Sequence, residues 1–332
     1  MNLQGVILAA GKGKRLQPVT PARTKAMAPV AGKPIVARVL DLLVQNGIRE
    51  IICLISPDDQ DIAPYFAAAT PAGVTVDFVV QQERLGMAHA LNLVAPRLHG
   101  DFIMSACDNL VPPEHMGALL ATHYACRANA TLSLMAIDIA QSASTGIVEW
   151  WPERTTDPAN GAAPRLIRRI VEKPQPEAAP SNISSLPLYV FAHKLLDYLP
   201  RVRPSARGEY ELQDAIQMLI DDAGRVTGVL TEQRWQLTNV ADLLALNRHY
   251  LTVEAAQARI LAEQVGANMR LIPPVRIDST CVIGRDCRIG PHVYLEPGCS
   301  IGDGAQIDNA ILLRNAQIPA GSTITNMVVM GA

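Results

Sequence analysis

The stretch Leu3-Gln-Gly-Val-Ile-Leu-Ala-Ala-Gly11-Lys-Gly13-Lys-Arg15-Leu-Gln-Pro18-Val-Thr20 places a glycine-rich, basic loop directly after a short apolar run. The run Val6–Leu8 has the length of a buried strand. Glycines let backbone N–H groups converge on an anion because no Cβ is in the way, and Lys12, Lys14 and Arg15 add positive charge. No Gly-Lys-Ser/Thr of a Walker motif follows, and Leu16 stands where a dinucleotide fingerprint needs its third glycine. The residues alone leave two interpretations, a phosphate site of another kind and an ordinary strand-to-loop turn.

The string continues through Thr24-Lys25-Ala-Met-Ala-Pro29-Val-Ala-Gly32-Lys-Pro34. Taken together, Leu8-Ala-Ala-Gly-x-Gly-x-Arg15-Leu, Pro18, Thr20, Lys25, Pro29-Val and Gly32-Lys-Pro closely resemble the signature of the sugar-1-phosphate nucleotidylyltransferases, the NDP-sugar pyrophosphorylases. Within that family the chain most resembles the glucose-1-phosphate thymidylyltransferases. The resemblance implies transfer of a nucleotidyl group from dTTP or UTP to a sugar 1-phosphate, expected to be glucose 1-phosphate. It also implies Mg²⁺ as cofactor and pyrophosphate as leaving group.

Two loops are implied to bind the nucleotide. By the resemblance, the first cradles the triphosphate with Ala10, Gly11 and Gly13, while Arg15 balances charge on the leaving pyrophosphate and Lys25 contacts phosphate near the reacting centre. The second, Gln81-Gln-Glu-Arg-Leu-Gly86, is similar to the family's base-binding loop, in which the glutamine five residues before the glycine contacts a uracil or thymine edge. A carboxamide offers the donor and the acceptor that a pyrimidine imide needs, and the spacing favours Gln81 over Gln82. From the residues alone, this segment is a polar loop that begins a helix.

Asp108-Asn109 follows the apolar run Phe102–Cys107, which is predicted to be a strand. Open α/β sheets bind ligands beyond the carboxyl ends of their strands, and a carboxylate there suits Mg²⁺, which prefers oxygen ligands. A turn or helix cap is the alternative that the residues leave open. The resemblance implies that Asp108 binds Mg²⁺, with Cys107 in the place of the family's usual glycine.

Segments in the second half of the chain resemble the family's sugar-binding side, and Arg207-Gly-Glu-Tyr-Glu-Leu-Gln213-Asp-Ala also fits the family pattern. The resemblance implies sugar contacts from Asn109, Gly146, Glu172, Lys173 and Asn182, with Lys173 on the sugar phosphate. The sequence departs from the family at Pro187, where a glycine is usual. It departs again at Gln236, the predicted second metal ligand, where the thymidylyltransferase branch has an aspartate; Thr238 or Asn239 is the alternative ligand. The predicted catalytic residues are Arg15, Lys25, Asp108 and Lys173.

Short β-branched runs alternate with helical patterns through the first two thirds of the chain. Strands are predicted at Val6–Ala9, Ile51–Ile55, Val76–Val80, Phe102–Ala106 and Leu132–Ile137, and helices at Pro34–Asn46, Met87–Leu98 and Glu114–Cys126. This alternation predicts the α/β class with a doubly wound, mainly parallel sheet. It agrees with the Rossmann-like, nucleotide-diphospho-sugar transferase fold that the resemblance implies. Residues 152–164, rich in Pro, Asn, Gly and Ala, are predicted to form a surface loop.

The end of the chain has a different period. From Ile277 to Leu313 an Ile or Leu recurs every six residues, a pattern typical of a left-handed parallel β-helix of hexapeptide repeats, and it resumes at Ile318 after a one-residue slip. The position four residues after each aliphatic residue is predicted to point inward and is occupied by Cys281, Cys287, Val293, Cys299, Ala305 and Ile311. The predicted domains are a nucleotidyltransferase domain at 1–245, a helical connector at 246–267 and a β-helix at 268–332, the last for oligomerisation or as a lid.

Composition limits the possible partners and compartment. A net charge of −2 gives no global field that favours nucleic acid or a membrane surface. The apolar runs are shorter than a membrane span, and Met1-Asn-Leu-Gln does not begin a signal peptide. The six cysteines show no CxxC or zinc spacing. A cytoplasmic protein with no nucleic-acid or membrane partner is therefore expected, and its β-helix predicts a homo-oligomer.

Two other function classes fit parts of the sequence. A non-catalytic regulatory or assembly subunit would explain the departures at Pro187 and Gln236, although the four predicted catalytic residues are retained. A β-helix acyltransferase would need a basic histidine between coils, and His292 is the only histidine of that region. The three coils that fit in this region leave little room for an acyl-carrier cofactor.

Overall fold

The computed structural model of the chain describes residues 3–11, 13, 16, 19, 23–152, 165–254 and 264–331. The chain forms two compact units, Met1–Gly11 with Val36–Arg234, and Lys12–Ile35 with Trp235–Ala332. We call them the sheet unit and the coil unit. The domain boundaries expected at 245 and 267 stay a prediction, and the surface loop expected at 152–164 lies, after Pro152, outside the described residues. Across the described ranges, no helix is long and apolar enough to cross a membrane.

The first 253 residues contain both strands and helices. The strands are β1 (Gln4–Leu8), β2 (Pro29–Val30), β3 (Lys33–Pro34), β4 (Glu50–Ile55), β5 (Thr75–Val80), β6 (Phe102–Ala106), β7 (Asn109–Leu110), β8 (Ala130–Ala136), β9 (Gly146–Trp150), β10 (Ile167–Glu172), β11 (Ile183–Phe191), β12 (Val226–Leu230) and β13 (Trp235–Gln236). The helices are α1 (Ile35–Gln45), α2 (Ile62–Ala69), α3 (Met87–Val94), α4 (Pro113–Ala125), α5 (Leu212–Ala223) and α6 (Val240–Val253).

The sheet unit is built on nine strands in the order β10-β9-β11-β6-β1-β4-β5, with β8 paired to β11 and to β12. β1 pairs in parallel with β4 and β6, and β4 pairs in parallel with β5. β11 runs antiparallel to β6, β8 and β9. β9 lies between β10 and β11 and is antiparallel to both, whereas β12 is parallel to β8. The predicted α/β class with its Rossmann-like parallel core is confirmed, and the strand pairs among β8 to β11 are antiparallel.

The predicted helices are present, with one difference in length. α1 buries Val36, Val39, Leu40 and Leu43, which recur at helical spacing on one face. It ends at Gln45, two residues before Gly47, whose φ of +85° favours glycine, and Ile48 N–H bonds back to the Leu43 carbonyl at 3.1 Å. α3 stops at Val94 rather than Leu98, because Pro96 has no N–H to continue the α-helical ladder, and a 3₁₀ turn at Ala95–Arg97 follows.

The carboxyl ends of the parallel strands bring three predicted loops to one edge of the sheet. Gly11 follows β1, Gln81 follows β5 and Asp108 follows β6. Beneath them lies a buried cluster that joins α3 and α5 to the strands and includes Phe102, Tyr189 and Phe191. The rings of Phe102 and Phe191 have centroids 5.5 Å apart. This packed cluster supports the loops at the carboxyl ends of the strands.

The carboxyl-terminal part of the coil unit is a parallel β-helix. Its strands are β14 (Gln264–Val265), β15 (Arg270–Leu271), β16 (Val275–Ile277), β17 (Val282–Ile283), β18 (Arg288–Ile289), β19 (Val293–Leu295), β20 (Ser300–Ile301), β21 (Gln306–Asp308), β22 (Ile311–Leu312), β23 (Gln317–Ile318), β24 (Thr323–Thr325) and β25 (Val328–Val329). They form three parallel sheets, each built from every third strand. Val275 pairs with Val293, so that coil takes 18 residues, or three hexads. Cys281, Cys287 and Cys299 are buried in its core, as predicted, and none of the six cysteines is in a disulfide.

The one-residue slip in the repeat lies earlier than the sequence indicates. Tyr294 pairs with Ile311 and Leu295 pairs with Leu312, each 17 residues later. Ala310 and Leu312 therefore enter the coil core, whereas Ile311 is buried outside that cluster. The inward position predicted for Ile311 is wrong. A register shift of one residue exchanges the two faces of a strand, and the shift falls just before Ala310.

Candidate active site

An arginine holds the start of the glycine-rich loop. Arg84 Nε donates to the Ala10 carbonyl at 2.7 Å, and its Nη2 donates to Ser56 Oγ at 2.5 Å. Ala10 is 7% exposed, and Gly11 next to it is exposed with no atom within 4 Å of where a Cβ would stand. Arg84 thus holds the Ala10 carbonyl in place, whereas the backbone at Gly11 is accessible. Sequence reasoning missed Arg84, because its partners lie 28 and 74 residues away along the chain.

The predicted base-binding loop is held against the segment that leads into α5. Gly86 has φ +105°, and a Cβ on it would lie 2.5 Å from the Tyr210 carbonyl oxygen, so only glycine fits there. Tyr210 N–H bonds to the Leu85 carbonyl at 2.7 Å, and Ala88 N–H bonds to the Tyr210 carbonyl at 3.0 Å. Gln81 is 4% exposed, and its Nε2 lies 3.1 Å from His89 Nδ1. Its carboxamide is therefore oriented by the first turn of α3.

Gln81→Ala should weaken the preference for pyrimidine over purine triphosphates, whereas Gln82→Ala should not. Gln82 is exposed, so it serves as the matched control on the neighbouring position. Loss of a hydrogen bond to a base edge should lower kcat/KM for UTP or dTTP by roughly tenfold. The measurement is kcat/KM for UTP, dTTP, ATP and GTP with each variant. Selectivity lost in the Gln82 variant instead would show that the predicted register is off by one.

Three adjacent strands place polar groups around Gly146. Gly146 pairs with Glu172 on β10 and with Ser185 on β11. A Cβ on Gly146 would lie 3.1 Å from Glu172 Oε2, so the absence of a side chain leaves this carboxylate room. Lys173 Nζ is 3.1 Å from Glu172 Oε1, and Arg207 Nη2 is 3.6 Å from the same oxygen. Glu172 Oε2 is buried and has no hydrogen-bond partner among the described residues. This carboxylate lies between two cations and has one unpaired oxygen. Such a group is suited to accept hydrogen bonds from the hydroxyl groups of a polyol.

The surroundings of Glu172 carry further charge that the sequence did not indicate. Arg207 Nη2 also bonds Glu211 Oε1 at 2.6 Å, and Ser205 Oγ donates to that same oxygen at 2.8 Å. Burial raises the pKa of Glu172, and the nearby Lys173 ammonium opposes this shift. Burial and the Glu211 carboxylate raise the pKa of Asp214. Arg207 and Glu211 belong to a segment that resembles the family but to which the sequence assigns no role.

Lys173→Met should move the acid limb of the pH–rate profile to higher pH. The Glu172 carboxylate is the form that would accept hydroxyl donors, and without the ammonium its raised pKa rises further. Protonation then removes sugar binding at a higher pH than in the parent protein. We would measure kcat/KM for the sugar 1-phosphate against pH in parent, Lys173→Met and Lys173→Arg proteins, since titration of the substrate is common to all three. An unchanged acid limb in Lys173→Met would exclude Glu172 as the titrating group.

Asp108 and Asn109 differ in their surroundings. Asp108 is half-buried in the turn after β6, and the preceding Cys107 N–H bonds to the Leu8 carbonyl at 3.1 Å. Asn109 is fully buried; its Oδ1 accepts from Arg234 Nε at 2.7 Å, and its Nδ2 has no hydrogen-bond partner among the described residues. Asn109 is thus oriented as a donor, and Asp108 supplies a carboxylate at the strand end. Arg234, which sets this orientation, was missed from sequence because it lies 125 residues away.

Asn182, another predicted sugar residue, directly precedes β11. It is exposed, and its carbonyl accepts from Ile137 N–H at 2.9 Å. Ser185, three residues further on, is the one aligned with Gly146, and three residues of strand span roughly 10 Å. The sugar contact of Asn182 stays a prediction.

The coil unit carries the remaining predicted site residues. Lys25 begins a 3₁₀ helix, Lys25–Met27, and Gly13 has φ +62° with its carbonyl accepting from Leu16 N–H at 2.9 Å. Gln236 is exposed on β13, and Arg15 lies outside the described residues. Asn239 Oδ1 accepts from Asp242 N–H at 3.0 Å as the cap of α6. The amide oxygen keeps a second lone pair, so the choice among Gln236, Thr238 and Asn239 as metal ligand stays a prediction.

Within the coil unit, the β-helix contacts both α6 and the segment that contains Lys25. Arg23 forms a two-bond ion pair with Glu296, at 2.7 and 2.8 Å. Asn247 Oδ1 accepts from Ala31 N–H at 3.2 Å, and Asn247 Nδ2 donates to the His292 carbonyl at 3.3 Å. His292 Nε2 lies 3.4 Å from Thr252 Oγ1, and burial lowers the pKa of this imidazole. His292 therefore takes part in packing between α6 and the coil, which speaks against an acyltransferase base.

Comparison with known proteins independently supports the family resemblance. Residues 4–252 match the family described as Nucleotidyl transferase, and residues 271–331 match the GMPPB C-terminal domain. UTP–glucose-1-phosphate uridylyltransferase AglF of Haloferax volcanii is 31% identical over 235 residues, which cover 71% of this chain and 90% of the relative. Glucose-1-phosphate thymidylyltransferase of Streptomyces griseus is 28% identical over 339 residues, 95% of this chain and 88% of the relative. The bifunctional protein GlmU of Methanococcus maripaludis is 26% identical over 98% of this chain and 77% of the relative.

Solved structures share the fold of about three quarters of the chain. A UDP-glucose pyrophosphorylase in complex with UDP-glucose superposes with a TM-score of 0.66 at 18% identity, covering 76% of this chain and 100% of that one. At this identity the likeness concerns the fold. The sequence match over residues 4–252 reaches further, since it includes the glycine-rich loop and the strand-end residues. The chain belongs to the nucleotidyl transferase family and is a nucleotidyltransferase of the sugar-1-phosphate type.

Proposed function

We propose that this enzyme joins a nucleoside monophosphate from dTTP or UTP to glucose 1-phosphate, giving an NDP-sugar and pyrophosphate. The observation that carries the proposal is the Glu172–Lys173 pair beside Gly146. Glu172 Oε2 is buried and unpaired, and the Lys173 ammonium lies 3.1 Å from the other carboxylate oxygen. A hexose 1-phosphate offers the matching groups, hydroxyl donors and a phosphate. The uridylyltransferase and thymidylyltransferase names of the two relatives support a pyrimidine triphosphate as its partner.

The chemistry requires no covalent intermediate on the protein. A phosphate oxygen of the sugar 1-phosphate attacks the α-phosphorus in line, and the bond from that phosphorus to the bridging oxygen breaks. Its electron pair leaves with pyrophosphate. The attacking oxygen is already an anion, so no general base is needed, and the protein contributes alignment and compensation of negative charge. By family resemblance, Gly11 and Gly13 hold the triphosphate, Arg15 and Lys25 compensate phosphate charge, and Lys173 positions the attacking phosphate.

The donor set at the end of β6 fits a magnesium ion. Mg²⁺ is commonly held by one or two carboxylates together with substrate phosphates, and Asp108 supplies a half-buried carboxylate there. Asn109 does not fit as a ligand, because its oxygen is bonded to Arg234 and the free atom is a donor. When bound, the ion would neutralise charge on the triphosphate. Asp108 would hold it, with Gln236 as the proposed second ligand, and Asn109 Nδ2 would donate to the sugar.

The proposal includes a cytoplasmic homo-oligomer that acts on small molecules. The net charge of −2 favours neither nucleic acid nor a membrane as partner. The β-helix, whose residues 271–331 match the GMPPB C-terminal domain, is the part that we propose to mediate oligomerisation.

One assay tests the proposed reaction. The protein is incubated with Mg²⁺, one of four nucleoside triphosphates and one of a panel of sugar 1-phosphates, and pyrophosphate release is measured. We expect the largest kcat/KM with glucose 1-phosphate and either UTP or dTTP. Release with a different sugar 1-phosphate would correct the substrate, and a purine triphosphate as best donor would overturn the base assignment. No release with any pair, from folded protein, would favour the non-catalytic subunit.

A further inference from the structure

A buried amide next to Glu172 has no role in the reaction as described above. Gln213 is the second residue of α5, and its side chain is 3% exposed. Its Oε1 is buried and has no hydrogen-bond partner within the described ranges. Buried polar atoms in native proteins are nearly always paired, so an unpaired one asks for a physical explanation. A ligand that is absent from the free protein supplies such an explanation when the atom faces a binding site.

The Gln213 side chain approaches Gly146. A Cβ on Gly146 would lie 3.2 Å from Gln213 Nε2 and 3.3 Å from its Cγ, and 3.1 Å from Glu172 Oε2. The amide from α5 and the carboxylate from β10 thus approach the same point from two elements. On Glu172 the atom at this point, Oε2, is itself unpaired, and on Gln213 the unpaired atom is Oε1 of the amide whose Nε2 reaches this point. Two unpaired acceptors, on two side chains that both approach Gly146, indicate that the missing group brings two donors.

We infer that Gln213 is a specificity-determining sugar contact: its Oε1 accepts a hydrogen bond from one sugar hydroxyl while Glu172 Oε2 accepts from a neighbouring hydroxyl. The inference rests on the proposed function and narrows its substrate class. The sugar must present two adjacent free donors at this edge, as a hexose 1-phosphate with a vicinal diol does. A hexose 1-phosphate that lacks either hydroxyl leaves a buried acceptor unpaired, and such sites reject the deficient analogue strongly.

Two glutamines of α5 make a matched pair of variants. Gln213→Met removes the unpaired amide at nearly constant volume, so the free protein should keep or raise its Tm. Gln217 is one turn later, and its Oε1 accepts from Ile170 N–H at 2.8 Å. Gln217→Met breaks that bond and should lower Tm. A Gln213 variant that is less stable than the parent protein would make Gln213 a structural residue and overturn the inference.

Kinetics with monodeoxy analogues identify the hydroxyl. Gln213→Met should raise KM for the preferred sugar 1-phosphate by roughly tenfold, with KM for the triphosphate unchanged. Among the monodeoxy sugar 1-phosphates, one should give equal kcat/KM with parent and variant, because both have lost the same hydrogen bond. Gln213→Glu, which keeps an acceptor, should restore part of the loss.

The outcomes separate this inference from the proposed function. If the parent protein turns over no sugar 1-phosphate, the proposed reaction fails. If it turns over one but Gln213→Met leaves the KM for that sugar 1-phosphate unchanged, the reaction stands and the Gln213 contact is wrong. The same conclusion follows if Gln213→Met lowers kcat/KM by the same factor for that sugar and for every monodeoxy analogue.

Discussion

Asp108→Asn is expected to lower kcat by about 10³-fold while the protein stays folded, because one carboxylate that compensates charge in the transition state is lost. The neutral amide keeps the shape of the side chain and an oxygen ligand, but it binds a hard divalent cation more weakly. The Mg²⁺ concentration for half-maximal rate should therefore rise as well. The rate is measured as pyrophosphate release against Mg²⁺ concentration, with the substrate pair that the parent protein prefers.

The control for this prediction is Asp77→Asn. Asp77 is an exposed carboxylate on β5, so the same chemical change is made in the same unit away from the strand ends. It should leave both kcat and the Mg²⁺ requirement unchanged. A folded Asp108→Asn protein with parental kcat would remove Asp108 from the reaction. A fall in kcat with an unchanged Mg²⁺ requirement would keep it in the site but contradict its role as metal ligand.

The sequence predicted the strand-end residues because local pattern determines them. Gly11, Gln81 and Asp108 each follow a short apolar run, and runs of that length form the parallel strands β1, β5 and β6. The six-residue period located the β-helix for a similar reason, since each coil repeats the same local requirement. The slip was misplaced because the sequence carries aliphatic residues at both Ile311 and Leu313. Strand pairing, rather than the period, places Leu312 in the core.

The contacts that complete the site were not predictable from one sequence. Arg84 and Arg234 bind partners far away along the chain, and Gln213 approaches Gly146 from a different element. No spacing rule relates such positions. Arg234 meets Asn109 across 125 residues, and this bond decides which atom of Asn109 is free to donate. Gln213 stands in a segment that resembles the family, but its unpaired oxygen is visible only once β10, Gly146 and α5 are placed together.

The β-helix was predicted to serve as an oligomerisation or lid element, and the coil unit shows a further structural role. Glu296 is 4% exposed, and it binds Arg23, two residues before Lys25, across 273 residues of chain. Its Oε2 also accepts from Arg314 N–H at 2.9 Å. Gly32 lies so close to the Arg276 guanidinium that a Cβ would clash. The β-helix therefore fixes part of the segment that carries the signature residues.

Arg23→Met should destabilise the coil unit by about 3–5 kcal/mol, because it leaves the Glu296 carboxylate buried with its cation removed. Arg23→Met combined with Glu296→Gln removes the buried charge and should recover most of that loss. The matched control is Arg285→Met, which breaks the exposed pair of Arg285 with Asp303 on the same β-helix and should change stability little. Unfolding by urea is followed through Trp235, which stacks on His249 in the coil unit, in a Trp150→Phe, Trp151→Phe background.

Equal losses of stability in the Arg23 and Arg285 variants would show that burial adds nothing to the Arg23–Glu296 pair. A double variant no more stable than Arg23→Met would show that the guanidinium stabilises this segment through packing rather than through its charge.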